Sequence, residues 1–204
     1  MTRRRAPAPA GKTDGRLNRS IVTRKKIVDA LTALIYEGHL TPTAEQVATR
    51  ADVGLRTVFR HFDDMDALYR EIALDLDGVM QPVIGQRLSG ATWQDRLRHS
   101  VLLRTDFFDR VAALHLATQV HRHESAYLTQ QVKQAVDLQR ELLRRQLPAE
   151  VAQDATLFDA LDVVLSIEVW VRLRREQGLP ADAARQVILR MVAALLPLAP
   201  ASSG

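Results

Sequence analysis

The chain has 204 residues, 47% hydrophobic and 25% charged, a balance typical of a soluble globular protein that can bury a core. It contains no cysteine, which excludes disulfides, thiolate metal sites and thiol nucleophiles, and no apolar run approaches the roughly 18 residues of a membrane span. Net charge is only +4, yet residues 1–26 carry nine Lys/Arg against one acid, while residues 27–72 carry four against eight. A cationic front calls for a polyanionic partner, either nucleic acid or an anionic surface.

Residues 1–18 read as a disordered basic arm, because Ala-Pro-Ala-Pro and scattered glycines do not pack. The arm has no apolar stretch behind it, so it is not a secretory signal, and the expected compartment is the cytoplasm. A first helix is predicted from Ser20, as N-cap, to Tyr36 or Glu37, with Ile27, Leu31, Leu34 and Ile35 as its stripe and Gly38 as its stop. Thr43 and Gln46 have the spacing of a capping box, which predicts a short helix over 44–50 that buries Val47 and Ala48. Asp52 suits a turn. Another short helix is predicted from Leu55 to Phe62. At about 100° per residue, Leu55, Val58, Phe59 and Phe62 fall on one side and Arg56, Thr57, Arg60 and His61 on the other. Asp63 and Asp64 can cap a following helix, from Asp66 to Asp77, that buries Leu68, Ile72 and Leu76.

Two short helices joined by a tight turn, behind a longer one, form a helix-turn-helix. The second helix of such a unit lies in the DNA major groove, and its outward side needs donors for phosphates and base edges. Arg56, Thr57, Arg60 and His61 are such donors. Arg56 and Arg60 are neighbours on the helix surface, a like-charge pair that an anion opposite would relieve. An arginine-rich arm ahead of the unit can follow phosphates or enter the minor groove.

The run TPTAEQVATRADVGLRTVFRHFDDMDALYREI, residues 41–72, closely resembles the DNA-binding segment of TetR/AcrR-type bacterial transcription regulators. The match is carried by Thr43, Val47-Ala48, Ala51-x-Val53, Thr57-Val58-Phe59-x-His61-Phe62 and Leu68. The chain departs from the family pattern at Asp52, where Gly is usual, at Gly54, where Ser or Thr is usual, at Phe59 in place of Tyr, and at Met65 in place of Lys. The last two remove family contacts to the DNA backbone, a role left to Arg56, Arg60 and the arm. The resemblance implies an all-α fold, with a three-helix helix-turn-helix DNA-binding domain over 19–65 and a larger helical ligand-binding and dimerisation domain over 66–204. It also implies a homodimer on palindromic operator DNA, with a small-molecule effector of unstated identity. The expected DNA-contacting set is Thr43, Leu55, Arg56, Thr57, Phe59, Arg60 and His61 together with Arg3, Arg4, Arg5 and Lys25.

Helices are further predicted over Thr92–Arg110, Val111–His123, Ser125–Leu147, Val151–Gln177 and from Pro180 to Leu196. The family resemblance makes the last two the dimer interface, through Leu161, Leu165, Ile188, Met191, Val192 and Leu195, and the middle helices the ligand pocket, through Phe107, Phe108, Leu114, Leu116, Gln119, Tyr127, Glu168 and Trp170. His115, His121 and His123 are spaced by six and two, which does not place them on one helical face, so neither a metal site nor a cofactor is expected. No phosphate-cradling glycine loop, nucleophile elbow or HExxH occurs, and an enzyme is not indicated. The competing reading is a helical protein- or membrane-interaction module whose basic tail binds polyanions without sequence preference.

Overall fold

A computed structural model describes residues 11–84 and 86–196. The arm residues Arg3, Arg4 and Arg5 and the Leu76 side chain lie outside the description. All regular elements of the described residues are helical. The chain divides into two compact units between Ile72 and Ala73, seven residues after the boundary expected from sequence.

In the first unit, α1 spans Gly11–Tyr36, α2 Ala44–Arg50 and α3 Leu55–His61, and α4 begins at Met65. Helix α1 starts well before Ser20, so residues 11–18, expected to be coil, are helical. Ser20 lies inside the helix instead of capping it. The early turns have little tertiary support, since Leu17, Ile21 and Val22 are exposed. Gly38, at φ +100°, ends α1 in a conformation that glycine adopts without steric cost. The capping box forms as expected: Gln46 N donates to Thr43 Oγ1 at 3.3 Å, and Thr43 N donates to Gln46 Oε1 at 2.8 Å. Asp52 occupies the left-handed region at φ 52°, which turns the chain between α2 and α3. Asp64 Oδ1 accepts from Ala67 N and caps α4. Ile27, Leu31, Ile35, Val47, Val58, Phe62 and Leu68 make the core. Burying each such side chain stabilises the unit by roughly 1.5–3 kcal/mol before the entropy of ordering is counted.

Helix α4 extends to Ile84, beyond the expected stop at Asp77. In the second unit α5 runs unbroken over Trp93–His121, where two helices were expected. No glycine or proline interrupts this stretch, and Val111, Ala112 and Leu114 continue the buried side past the expected break. A single 3₁₀ turn, Arg122–Glu124, leads into α6, Ala126–Arg144. The long helix expected over 151–177 is divided into α7 (Ala149–Gln153), α8 (Ala155–Val164), α9 (Ile167–Val171) and a π-helical turn at Arg172–Glu176. Asp154 and Ser166 make the breaks by capping new helices, accepting from Leu157 N and Val169 N. Helix α10 spans Ala181–Leu195.

Trp170, Phe158, Leu97, Leu143, Leu161 and Ile188 are fully buried and tie these helices together. Two polar links fix the order of packing. Asp109 on α5 accepts from Trp170 Nε1 and from Arg174 Nε, both at 3.1 Å. Arg185 on α10 donates to Thr105 Oγ1 at 3.0 Å and to Asp106. No described helix is long and apolar enough to cross a membrane.

Candidate functional site

Helix α3 exposes a different arc from the one its sequence predicts. Val58 and Phe62 are buried, but Leu55 and Phe59 are 37% and 46% exposed. The buried arc is therefore narrower than the apolar residues alone suggest. The outward surface combines Leu55, Arg56, Phe59 and Arg60, with Thr57 and His61 half-buried at its margin. Apolar bulk and guanidinium groups thus share one face. Among the described residues, neither Arg56 nor Arg60 has a hydrogen bond or an ion pair.

Several other described cations of the first unit are engaged. Arg24 on α1 donates through Nε and Nη2 to the two carboxylate oxygens of Glu71, and through Nη1 to the His61 carbonyl at 2.7 Å. Its guanidinium lies 4.2 Å from the centre of the Phe62 ring. The bond with Glu71 holds the Arg24 guanidinium pKa above its ordinary value. Lys25, expected at DNA, pairs with Asp29 at 2.8 Å on the exposed side of α1. Thr43 is occupied as the cap of α2. Burial, with the charges of Arg60 and Arg24 added, pushes the His61 imidazole below its ordinary pKa. A neutral His61 has a single N–H to offer. Arg19, Ser20, Thr23, Arg60 and His61 line one open cleft, so the end of α3 and the first half of α1 form a continuous polar, cationic surface.

The second unit holds an apolar cavity of about 450 Å³, within the usual range of small-molecule sites. Phe107 and Phe108 of α5 and Glu168 of α9 line it. Leu114, Gln119, Tyr127 and Trp170 do not. Leu114 and Trp170 are buried in the core, and Leu116 packs against that core. Helical spacing alone cannot separate a side chain that faces a cavity from one that faces another helix. The opposite wall comes from α6, through Leu128, Val132, Ala135 and Gln139. Their spacing of four, three and four is a stripe visible in the sequence but not read from it. His115 also lines the cavity, with Nε2 3.7 Å from Glu168. Burial lowers the His115 pKa, against the raising effect of Glu168. Glu168 thus faces a histidine at the cavity wall.

Leu161, Leu165, Ile188 and Val192 of the expected dimer set are buried in the core of their own unit. A side chain filled in by its own helices cannot also meet a partner. Met191 and Leu195 remain partly exposed, in a depression shared with Val163, Val164 and Ala194. Val163 is 61% exposed.

No family model matches the chain, and no curated protein does. Solved structures do. A transcriptional regulator from Pseudomonas aeruginosa PAO1 superposes with a TM-score of 0.63 at 18% identity, covering 84% of this chain and 89% of that one. A TetR-family transcriptional regulator from Syntrophomonas wolfei str. Goettingen gives 0.61 at 15% identity over 88% and 98%. A TetR-like transcriptional regulator from Rhodococcus sp. RHA1 gives 0.61 at 13% over 86% and 97%. The fold of this chain is that of the TetR-family transcriptional regulators.

Proposed function

We propose that this protein is a sequence-specific DNA-binding transcription regulator, a homodimeric repressor released when a small molecule occupies the cavity of its second unit. The observation that carries this reading is the outward face of α3, the second helix of a helix-turn-helix, where Arg56 and Arg60 are exposed with no acceptor among the described residues. A guanidinium is suited to bidentate contact with a guanine edge or a phosphate. Leu55 and Phe59 beside them can meet thymine methyls. Thr57 and His61 at the margin, with the exposed Thr43 at the start of α2 and the arm residues Arg3, Arg4 and Arg5, add donors for the backbone. Lys25 belongs to this set only if it leaves Asp29.

Two reading heads on a palindrome require two copies of the chain. The half-exposed apolar patch of Val163, Met191 and Leu195 is the surface assigned to that contact. A ligand can weaken DNA binding only by its differential affinity for two states of the protein. The cytoplasm, where operator DNA is, is the compartment this role requires.

The test is fluorescence anisotropy of the full chain with DNA fragments from around its own gene, with unrelated DNA as control, at two salt concentrations. Tight binding to one fragment is expected. Equal binding to every fragment, erased by salt, would leave only the basic arm acting and would favour the interaction-module reading.

A further inference from the structure

A smaller cavity of about 200 Å³ adjoins the first one. The two share Phe107, Phe108, Ala135 and Gln139 in their walls. The smaller one is apolar for most of its lining, but it also contains Arg104 and Arg145 and no carboxylate. Arg145 is already occupied, since its Nε donates to Glu141 at 2.9 Å. Arg104 is not: among the described residues its guanidinium has no hydrogen bond and no ion pair. The carboxylate that attracts it, Asp162, gives its Oδ2 to Arg140 at 2.8 Å. Burial pushes the Arg104 pKa down, against the attraction of Asp162, while leaving an arginine charged at neutral pH. On the same wall, Gln146 Oε1 is buried with no hydrogen-bond partner among the described residues. A half-buried guanidinium with no acceptor among the described residues keeps its N–H donors for whatever occupies the cavity.

We infer that the cavity takes an amphipathic organic acid, whose carboxylate is held by Arg104 and whose apolar body lies past Phe107 and Phe108 into the larger chamber. A carboxylate accepts two parallel N–H bonds from one guanidinium, which is the geometry these unsatisfied donors offer. The second chamber, walled by Val111, Leu128 and Val132, supplies apolar contact for a chain or ring system. Gln146 Oε1 can accept from a hydroxyl or amide N–H near the acid group. As the identity of an effector, this inference rests on the regulator reading. As a statement about ligand chemistry, it stands on the cavity alone.

Its test is therefore direct binding without DNA. Isothermal titration calorimetry of the full chain compares decanoate and naphthoate with decanol and naphthalenemethanol, each pair alike in its apolar part. At least one carboxylate is expected to bind at least about tenfold more tightly than its alcohol. Arg104→Met is expected to remove that preference, and Arg104→Lys to restore part of it. Equal affinities within both pairs, or no binding by either acid, would overturn the inference, and so would an undiminished preference in Arg104→Met. If Arg104→Met does not fold, the comparison within the unaltered protein still decides. A carboxylate that binds but does not change the affinity of the protein for DNA would confirm the site's chemistry and count against the effector role alone.

Discussion

The guanidinium of Arg24 meets the carboxylate of Glu71 through two parallel hydrogen bonds, at 3.1 and 2.8 Å, and a third N–H reaches the carbonyl of His61. One side chain of α1 thus satisfies a carbonyl at the end of α3 and pins α4 beside it. Replacing Arg24 by Ala is expected to lower the stability of the first unit by about 1–2 kcal/mol, because the pair is partly solvent-screened and the carbonyl partly regains water. Arg24→Lys is expected to recover little, since an ammonium cannot reproduce the fork. Chemical denaturation followed by circular dichroism measures both. Unaltered unfolding midpoints would show that this network is incidental.

Arg56→Ala and Arg60→Ala should weaken DNA binding with little change in the thermal midpoint, because among the described residues neither side chain makes a hydrogen bond or an ion pair and both are exposed. A loss of about 1–3 kcal/mol confined to the preferred fragment would identify a base contact, and a uniform loss with a salt slope reduced by about one would identify a phosphate contact. Anisotropy titrations at several salt concentrations separate the two. Unchanged affinity in both variants would remove this face from the interface.

Asp52 sits at φ 52°, where a side chain is disfavoured and glycine is not. Its carboxylate is almost fully exposed and only 3.9 Å from Lys26, a weak contact. Asp52→Gly should therefore stabilise the protein by up to about 1 kcal/mol, and Asp52→Val should destabilise it by about as much or more. Differential scanning calorimetry reads both signs. A stabilised valine variant would contradict the backbone assignment.

His61 and His115 both have pKa values lowered by burial. In the unfolded chain each takes up its proton near about pH 6.5. Above that pH both states are neutral and stability is flat. As pH falls through about 6.5 and toward the lower folded values, the unfolded chain binds protons first, so stability declines. The lowered carboxyls of Glu71 and Asp95 act in the same direction, but only at more acid pH. The thermal midpoint should fall between about pH 7 and pH 5.5, and less so in a His61→Gln, His115→Asn double variant. An identical fall in that variant would assign the effect to other groups.

Val163→Glu places charge on the exposed part of the apolar patch, on α8, and Leu195→Glu on its half-exposed edge, on α10, where the side chain also packs against the core. Both are expected to convert a dimer to monomers, measured by light scattering. The same change at Val192, which is buried, would unfold the unit and reveal nothing about association. A dimer mass that survives both exposed substitutions would place the interface elsewhere.

The helix-turn-helix was legible in the sequence because its signals are local. A capping box acts over three residues, a turn over two, and a seven-residue helix shows its two sides in two turns. Thr43, Gln46, Asp52 and the start of α3 at Leu55 were all open to that reading. Helix ends in the second unit were less so. Asp154 and Ser166 each cap a new helix in a stretch whose apolar period does not change, and hydrophobic periodicity is insensitive to such a break.

By itself, the sequence determined that the chain is helical, where the two short helices and their turn lie, where the cationic surface of α3 lies along the chain, and the resemblance that named a fold. Those are properties of neighbours within one or two turns. Tertiary structure alone decided which apolar residues face a core and which face space. Phe59 and Leu55 turned outward because Val58 and Phe62 fill the side of α3 facing the core. Leu161, Ile188 and Val192 went into the core because neighbouring helices cover them. Arg104 became a candidate anchor because, among the described residues, no acceptor from another helix reaches it. Each outcome depends on contacts between residues tens of positions apart, and no local pattern encodes them.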